Sequence, residues 1–165
     1  MRRDPTLATM IFIGALSIGL CPSYAGAQST LDSATAKRFI GTWRLISTTS
    51  DGKMDPNRGP NPTGLIHYDA KGYMAVQIMP DRVRPKYAGA QPTPEEAKSA
   101  LAGYTAYFGT YTIDEKARTV THHRTGNINP GGLGDFVRRY EFAPGDRLIL
   151  RPLENMNALT WERVK

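Results

Sequence analysis

Residues 39–47 read FIGTWRLIS and contain Trp43, the first of only two tryptophans in the chain. The second, Trp161, lies in the C-terminal stretch LTWERVK at 159–165. Both stretches mix β-branched and large apolar residues in a way that is typical of strands. A sheet that pairs its first strand with its last would bring the two indoles to one end of the molecule. The two stretches therefore predict a sheet that closes on itself.

Short segments rich in β-branched and aromatic residues recur along the rest of the chain, separated by Gly, Pro, Asn and Asp. They predict strands at 41–49, 64–70, 73–79, 104–113, 118–125, 136–142, 147–151 and 157–164. The turns DAKG, DEKA and PGD are short enough for hairpins, so sequence neighbours should pair antiparallel. Closure would also remove the exposed sheet edges. The prediction is an all-β, eight-stranded, antiparallel up-and-down barrel.

Three connections lack strand character, and they span 52–64, 80–104 and 127–134. Within the longest, TPEEAKSALAG predicts a short helix between the third and fourth barrel strands. Thr93 can cap its start, Pro94 suits its first turn and Gly103 can end it. The stretch STLDSATAKRF at 29–39 predicts a second short helix at the N-terminus.

The first 27 residues have the features of an export signal. MRR supplies positive charge, MIFIGALSIGL is an apolar run too short to span a bilayer, and AGA is a small-residue cleavage site. We predict cleavage after Ala27, which leaves one barrel domain at 28–165, either periplasmic or secreted, without a stable membrane anchor. The alternative is a lipoprotein acylated at Cys21, but Leu20 stands where such processing normally requires a small residue.

Cleavage would remove the only cysteine and lower the formal net charge from +6 to +5. The mature chain would then have no disulfide and no cysteine-ligated metal. The basic residues are scattered and no aromatic-basic motif accompanies them, which argues against a nucleic-acid partner. His122 and His123 are adjacent on a predicted strand and face opposite sides, and only His67 remains. We therefore predict neither a metal nor a cofactor.

Alternation along the strands assigns an inward face, because successive strand residues point to opposite sides. On strand 73–79 the apolar residues share one face, and His122 is carried inward together with Val120. The inward residues are our candidate ligand-binding residues: Tyr68, Met74, Val76, Ile78, Tyr107, Tyr111, His122, Arg138, Tyr140, Leu148 and Leu150. Apolar walls with a few polar groups are typical of a small-molecule site.

Two of these polar candidates each have two interpretations. In the first interpretation, the Arg138 guanidinium is exposed to water near a rim or pairs with Glu141 or Glu162. In the second, it binds an anionic group, because an unpaired charge inside a barrel is costly. His122 is either a hydrogen-bonded wall residue or a general acid/base. The sequence leaves both pairs of alternatives open.

GTWRL resembles the Gly-x-Trp signature on the first strand of lipocalins and related calycin barrels. More specifically, residues 37–165 are similar to the bacterial and fungal lipocalin-like domain family. The similarity lies in six stretches, which occur in this order: GTWRLIS, GLIHYDAKGYMAVQIM, AYFGTYTIDEKARTVTHH, VRRYEF, DRLILRP and LTWERV. The resemblance implies a barrel around a cavity for a small, mostly apolar molecule. It also implies a structural role for Arg163, packed over Trp43 at the closed end, with Trp161 nearby. The second and third signatures of secreted animal lipocalins are absent, so retinoid transport is not implied.

Two functions fit such a cavity. The first is an exported binding protein for a small apolar or amphipathic, weakly anionic molecule. The second is a cofactor-independent isomerase or cyclase, in which His122 acts as general acid/base and Arg138 stabilises an oxyanion together with Tyr107 or Tyr111. A barrel filled by its own side chains is a third reading. The sequence leaves the ligand, the oligomeric state and the role of 80–104 as a lid open.

Overall fold

The computed structural model describes residues 33–165. The predicted signal peptide at 1–27, its cleavage site and Cys21 lie outside the described residues. No helix within 33–165 is both long and apolar enough to cross a membrane.

Eleven elements follow one another along this part of the chain. They are α1 (Ala34–Phe39), β1 (Gly41–Ser50), β2 (Lys53–Met54), β3 (Thr63–Tyr68), β4 (Tyr73–Met79), α2 (Pro94–Leu101), β5 (Thr105–Asp114), β6 (Thr119–Asn127), β7 (Gly134–Ala143), β8 (Arg147–Pro152) and β9 (Ala158–Arg163). From β3 to β9 each strand pairs antiparallel with its sequence neighbour, and β3 pairs with β1. The predicted antiparallel up-and-down order is confirmed.

Pairing between β1 and β9 closes the barrel. Trp43 lies opposite Arg163 and Leu45 lies opposite Trp161, with a register shift between Leu45 and Ser47. This is the pairing that the two tryptophan stretches predicted. Eight strands form the closed wall, so the predicted fold class is confirmed.

The sequence predicts a loop at 52–64, whereas the structure places the two-residue strand β2 there. Thr49 and Ser50 of β1 pair with Met54 and Lys53. The link is Asp51-Gly52, where both residues have positive φ, at 50° and 76°. A tight hairpin of this kind favours Asp-Gly, so the turn was readable in the sequence although the short strand was not.

The interior follows the period-two pattern of the strands. On β4, Met74, Val76 and Ile78 are buried while the residues between them are exposed. The same alternation buries Ile66 and Tyr68 on β3. Together with residues from the other barrel strands and Phe39 of α1, these side chains form one core cluster.

One end of the barrel, which we call the floor end, holds α1 and the short turns 69–72, 114–118 and 144–146. Ser33 caps α1, and Phe39 is fully buried. The Trp43 indole donates to the carbonyl of Phe39 at 2.8 Å, and the Arg163 guanidinium lies 4.1 Å from the centroid of the Trp43 ring. Arg163 also bonds the carbonyl of Ile40 at 2.7 Å, which ties the last strand to the entry of the first.

The opposite end, which we call the loop end, holds the long connections that follow β1, β4, β6 and β8. The helix α2 lies in the second of them, with the capping box of Thr93 and Glu96 and with Pro in its first turn. No residue of α2 is buried, and residues 81–91 are all exposed. The predicted helix is confirmed, and it packs outside the core.

Candidate functional site

His122, in the middle of β6, is the most enclosed polar group of the barrel. It is fully buried, and both ring nitrogens contact tyrosine hydroxyls. The Tyr68 hydroxyl lies 2.8 Å from Nε2, and the Tyr107 hydroxyl lies 2.9 Å from Nδ1. Sequence alternation put all three side chains on the inward face, and the structure joins them into one hydrogen-bonded chain across the barrel.

The environment keeps His122 and Tyr68 uncharged at neutral pH. Burial lowers the pKa of His122 well below its usual 6.5, and the positive charge of Arg138 acts in the same direction. Burial also raises the pKa of Tyr68 well above 10.0. The imidazole is therefore neutral and the Tyr68 phenol keeps its proton.

A neutral imidazole has one donor nitrogen and one acceptor nitrogen, so the directions of its two hydrogen bonds are coupled. If Tyr68 donates to Nε2, then Nδ1 donates to the Tyr107 oxygen, and the Tyr107 hydroxyl hydrogen is free. In the reverse arrangement the free hydrogen would sit on Tyr68, whose only hydrogen-bond partner within 33–165 is His122. An unpaired buried donor is unfavourable, and it is less so on Tyr107, which is 7% exposed, than on Tyr68, which is 0% exposed. The first arrangement is favoured, and it leaves Tyr107 as a donor.

Arg138 on β7 is the buried charge of the site. Its side chain points toward the loop end, with the guanidinium 4.2 Å from the ring centroid of Phe136. The residue is 8% exposed, and its Nε and Nη1 are buried without a hydrogen-bond partner among the described residues. Buried polar groups are nearly always paired, so two free donors on one cation need an explanation.

The carboxylates that the sequence offered as partners for Arg138 are engaged elsewhere. Glu141 pairs with Arg151 at 3.0 Å, and Glu162 pairs with Arg44 at 2.6 Å, both on the outer face. Neither carboxylate reaches the interior, because each lies at an outward position of its strand. The pairing with wall carboxylates, which was one form of the first interpretation of Arg138, therefore does not occur.

Two further arginines lie near this end of the interior. Arg58, from the connection between β2 and β3, donates to the Thr105 hydroxyl at 3.0 Å and lies 3.8 Å from the Asp55 carboxylate. Burial lowers the pKa of Arg58, Asp55 raises it and Arg138 lowers it, so the two guanidiniums share one neighbourhood. Arg124 lies 4.9 Å from the Phe136 ring centroid and donates to the carbonyl of Gly134.

Arg58 could not be assigned to the site from the sequence, because it lies in a connection without strand periodicity. Its neighbours Asp55 and Gly59 were a local sign of a turn, and backbone N–H groups of Arg58 and Gly59 do bond the Asp55 carbonyl. That sign indicated a turn but gave no indication that the Arg58 side chain enters the mouth of the barrel.

The other candidate lining residues belong to the packed core or to the floor end. The apolar residues are buried against one another in the core cluster: Met74, Val76, Ile78, Leu148 and Leu150. The Tyr111 hydroxyl donates to the carbonyl of Asp69 at 2.8 Å, and burial raises its pKa to about 12. The pKa of Tyr140 is raised by burial and by Glu115 of a floor-end turn. These two hydroxyls therefore point away from the polar cluster.

Aromatic rings fill the floor half of the barrel. Phe39 makes edge-to-face contacts with Tyr68, Tyr140 and Phe142 at centroid distances of 5.4, 5.0 and 5.2 Å. Five depressions have volumes from about 260 to 730 Å³, and none of these five is lined by His122, Arg138 or Tyr107. The polar cluster therefore has packed aromatic rings on its floor side.

A second polar group lies on the outer wall, where alternation placed His123. Its Nδ1 lies 2.6 Å from the Asp135 carboxylate and its Nε2 lies 2.9 Å from the Thr112 hydroxyl. The three residues are on neighbouring strands, and none of the five depressions includes them. We take them as a cross-strand polar ladder. Within the described residues no group of three His, Cys, Asp or Glu side chains could hold a metal ion.

Comparison with known proteins gives a family. Residues 40–164 match the lipocalin-like domain. No curated protein matches the chain. Among solved structures the chain is similar to the crystal structure of a DUF4847 family protein from Bacteroides vulgatus ATCC 8482, at 14% identity and a TM-score of 0.42, covering 77% of this chain and 94% of that chain. The family match spans all eight strands of the closed wall, and the chain belongs to the lipocalin-like domain family.

Proposed function

We propose that the barrel binds a small amphipathic molecule at its loop end, with the polar group of that molecule against Arg138 and Tyr107. The observation that supports this most directly is the buried guanidinium of Arg138, which presents two donors without a partner. A hydrogen bond to a charged group in a dry site is stronger than a neutral one, so an anionic group gains most there. An exported location at 28–165 is part of the same proposal and rests on the sequence alone.

The loop end also offers apolar surface for the remainder of such a molecule. Seven large apolar side chains are exposed on its connections: Met54, Val83, Tyr87, Leu101, Leu133, Leu153 and Met156. Burying apolar surface contributes roughly 25 cal/mol per Å². A ligand with its polar group inside and its apolar part toward these connections would use both features.

Two fluorophores with the same ring skeleton test the proposal. 8-Anilinonaphthalene-1-sulfonate carries a sulfonate, whereas N-phenyl-1-naphthylamine is neutral. We expect saturable one-to-one binding of both, with the sulfonate bound more tightly by about tenfold to 150-fold, the range for a hydrogen bond to a charged group. The Arg138→Met variant should abolish that preference and leave binding of the neutral probe unchanged.

The matched control is Arg151→Met, which also removes one positive charge but from the outer face of the neighbouring strand. It should keep the preference for the sulfonate. If neither probe binds saturably to the wild-type protein, or if both arginine variants lose the preference equally, the proposed site is wrong.

A cofactor-free isomerase or cyclase is the second candidate, because a neutral chain of Tyr68, His122 and Tyr107 beside Arg138 could pass a proton to a bound molecule. His122 would then act through Tyr107, since both ring nitrogens are occupied. Mass spectrometry of protein purified from its own host separates the two candidates. Retention of one unchanged compound supports binding, whereas conversion of that compound by the wild type and not by Tyr107→Phe supports catalysis.

A further inference from the structure

The charges at the loop end of the interior leave one buried positive charge with free donors. Arg58 has the Asp55 carboxylate 3.8 Å away. Arg124 has no carboxylate partner within 33–165, but it is only half-buried, and its Nε and Nη2 donate to the carbonyls of Gly134 and Leu133 at the barrel rim. Arg138 is more than nine-tenths buried, with Nε and Nη1 unpartnered within 33–165. The site can therefore compensate one buried negative charge, and a second one would have no buried cation with free donors.

The hydrogen-bonding groups that face this charge are donors. Arg138 has donors only, and the Tyr107 hydroxyl hydrogen is free when His122 donates to its oxygen. Tyr107 is 7% exposed, so its hydroxyl is enclosed but lies near the loop end. The Phe136 ring lies 4.2 Å from the Arg138 guanidinium and 4.9 Å from that of Arg124, which in turn lies 5.9 Å from the Tyr107 ring. These contacts bring Arg138 and Tyr107 into one neighbourhood. A group bound there needs two acceptor atoms.

We propose that the polar group recognised at this site is a carboxylate, with one oxygen on the Arg138 guanidinium and the other accepting from the Tyr107 hydroxyl. This rests on the proposed function and names its ligand class. A carboxylate spreads one charge over two acceptors, which matches one unpaired cation and one free hydroxyl hydrogen. A phosphate monoester, with a second pKa of about 6, carries close to two charges at pH 8 and exceeds what the site compensates.

His122 is a positioning residue in this scheme. It does not touch the ligand, because both ring nitrogens contact tyrosines. By donating from Nδ1 to the Tyr107 oxygen it turns the hydroxyl hydrogen of Tyr107 toward the ligand. Its effect on carboxylate recognition should therefore depend on the presence of the Tyr107 hydroxyl.

Three ligands with one tail test the assignment: decanoate, decanol and decyl phosphate, each used at pH 8 to displace N-phenyl-1-naphthylamine. We expect decanoate to bind at least about tenfold more tightly than decanol, which is the range for a hydrogen bond to a charged group. Decyl phosphate should bind at least about tenfold more weakly than decanoate, because its second negative charge has no buried cation as a partner.

Tyr107→Phe should reduce the decanoate-to-decanol affinity ratio by about tenfold, since one charge-assisted hydrogen bond is lost. The matched control is Tyr111→Phe, whose hydroxyl bonds Asp69 at the floor end, and it should keep the wild-type ratio. His122→Leu should lower the decanoate-to-decanol ratio, and His122→Gln should give a ratio between those of His122→Leu and the wild type. In the Tyr107→Phe background, His122→Leu should cause no further decrease in the ratio.

The outcomes separate this assignment from the proposed function. If the neutral probe does not bind, the proposed function and the assignment both fall. If the probe binds and all three ligands displace it with equal affinity, binding stands and the carboxylate assignment is wrong. Decyl phosphate binding as tightly as decanoate, or a Tyr107→Phe ratio equal to that of the wild type, also overturns the assignment.

Discussion

Replacing Arg138 with methionine should make the unliganded protein more stable while weakening its binding of anions. Each buried donor without an acceptor is unfavourable by about 1–3 kcal/mol, so the two donors together contribute roughly 2–6 kcal/mol. The contact of the guanidinium with Phe136 at 4.2 Å offsets about 1–2 kcal/mol of this. Methionine keeps an apolar side chain of similar length. The difference between these two ranges is about 0–5 kcal/mol, so we expect the free energy of unfolding to rise by up to about 5 kcal/mol.

Urea unfolding of Arg138→Met, followed by tryptophan fluorescence without ligand, measures this change. Trp43 and Trp161 are both buried, so their emission reports the loss of the core. The control Arg151→Met breaks an exposed ion pair and should change the free energy of unfolding by less than about 1 kcal/mol. The sulfonate probe at about one hundred times its dissociation constant should stabilise the wild type by about 2.7 kcal/mol and the Arg138→Met variant much less.

A loss of stability in Arg138→Met of 1 kcal/mol or more would refute this reasoning. It would mean that the guanidinium is a structural brace whose removal leaves other groups unpaired. Such a brace is found at Arg163, which holds two backbone carbonyls and covers an indole.

Two further predictions concern His122 and Arg163. Burial holds the pKa of His122 in the folded state well below 6.5, so the unfolded chain binds the extra proton and stability falls as pH drops below about 6.5. In urea unfolding between pH 6.5 and 5, the free energy of unfolding of His122→Gln should decrease less steeply than that of the wild type, by up to about 1.4 kcal/mol per pH unit. The control His67→Gln replaces an exposed histidine and should follow the wild type. Arg163→Met should lower the free energy of unfolding by about 2–4 kcal/mol, because the Trp43 contact and the bond to the Ile40 carbonyl are both lost; a change below about 0.5 kcal/mol would contradict the brace.

The wall of the barrel could be predicted from the sequence because its determinants are local. Period-two alternation marked which residues of each strand face inward, and short turns set the antiparallel order. At β4 every residue that alternation assigned to the interior is buried. The short strand at 53–54 could not be predicted, because two residues are too few to show a period, although Asp51-Gly52 indicated the turn before it.

The candidate site could be predicted only as a list of inward residues. Alternation gave four inward tyrosines but could not say that Tyr68 and Tyr107 meet His122 while Tyr111 and Tyr140 point toward the floor end. The stagger of the strands and the side-chain rotamers decide those contacts, and neither has a sequence period.

The sequence by itself determined a closed barrel, because strand periodicity and hairpin turns are encoded by neighbouring residues. The tertiary structure alone decided that Glu141 and Glu162 pair with Arg151 and Arg44 and that Arg58 arrives from a distant connection. These facts leave Arg138 buried with free donors. Whether a buried charge is compensated depends on every group that surrounds it across the barrel, and those groups come from strands that are far apart in the chain.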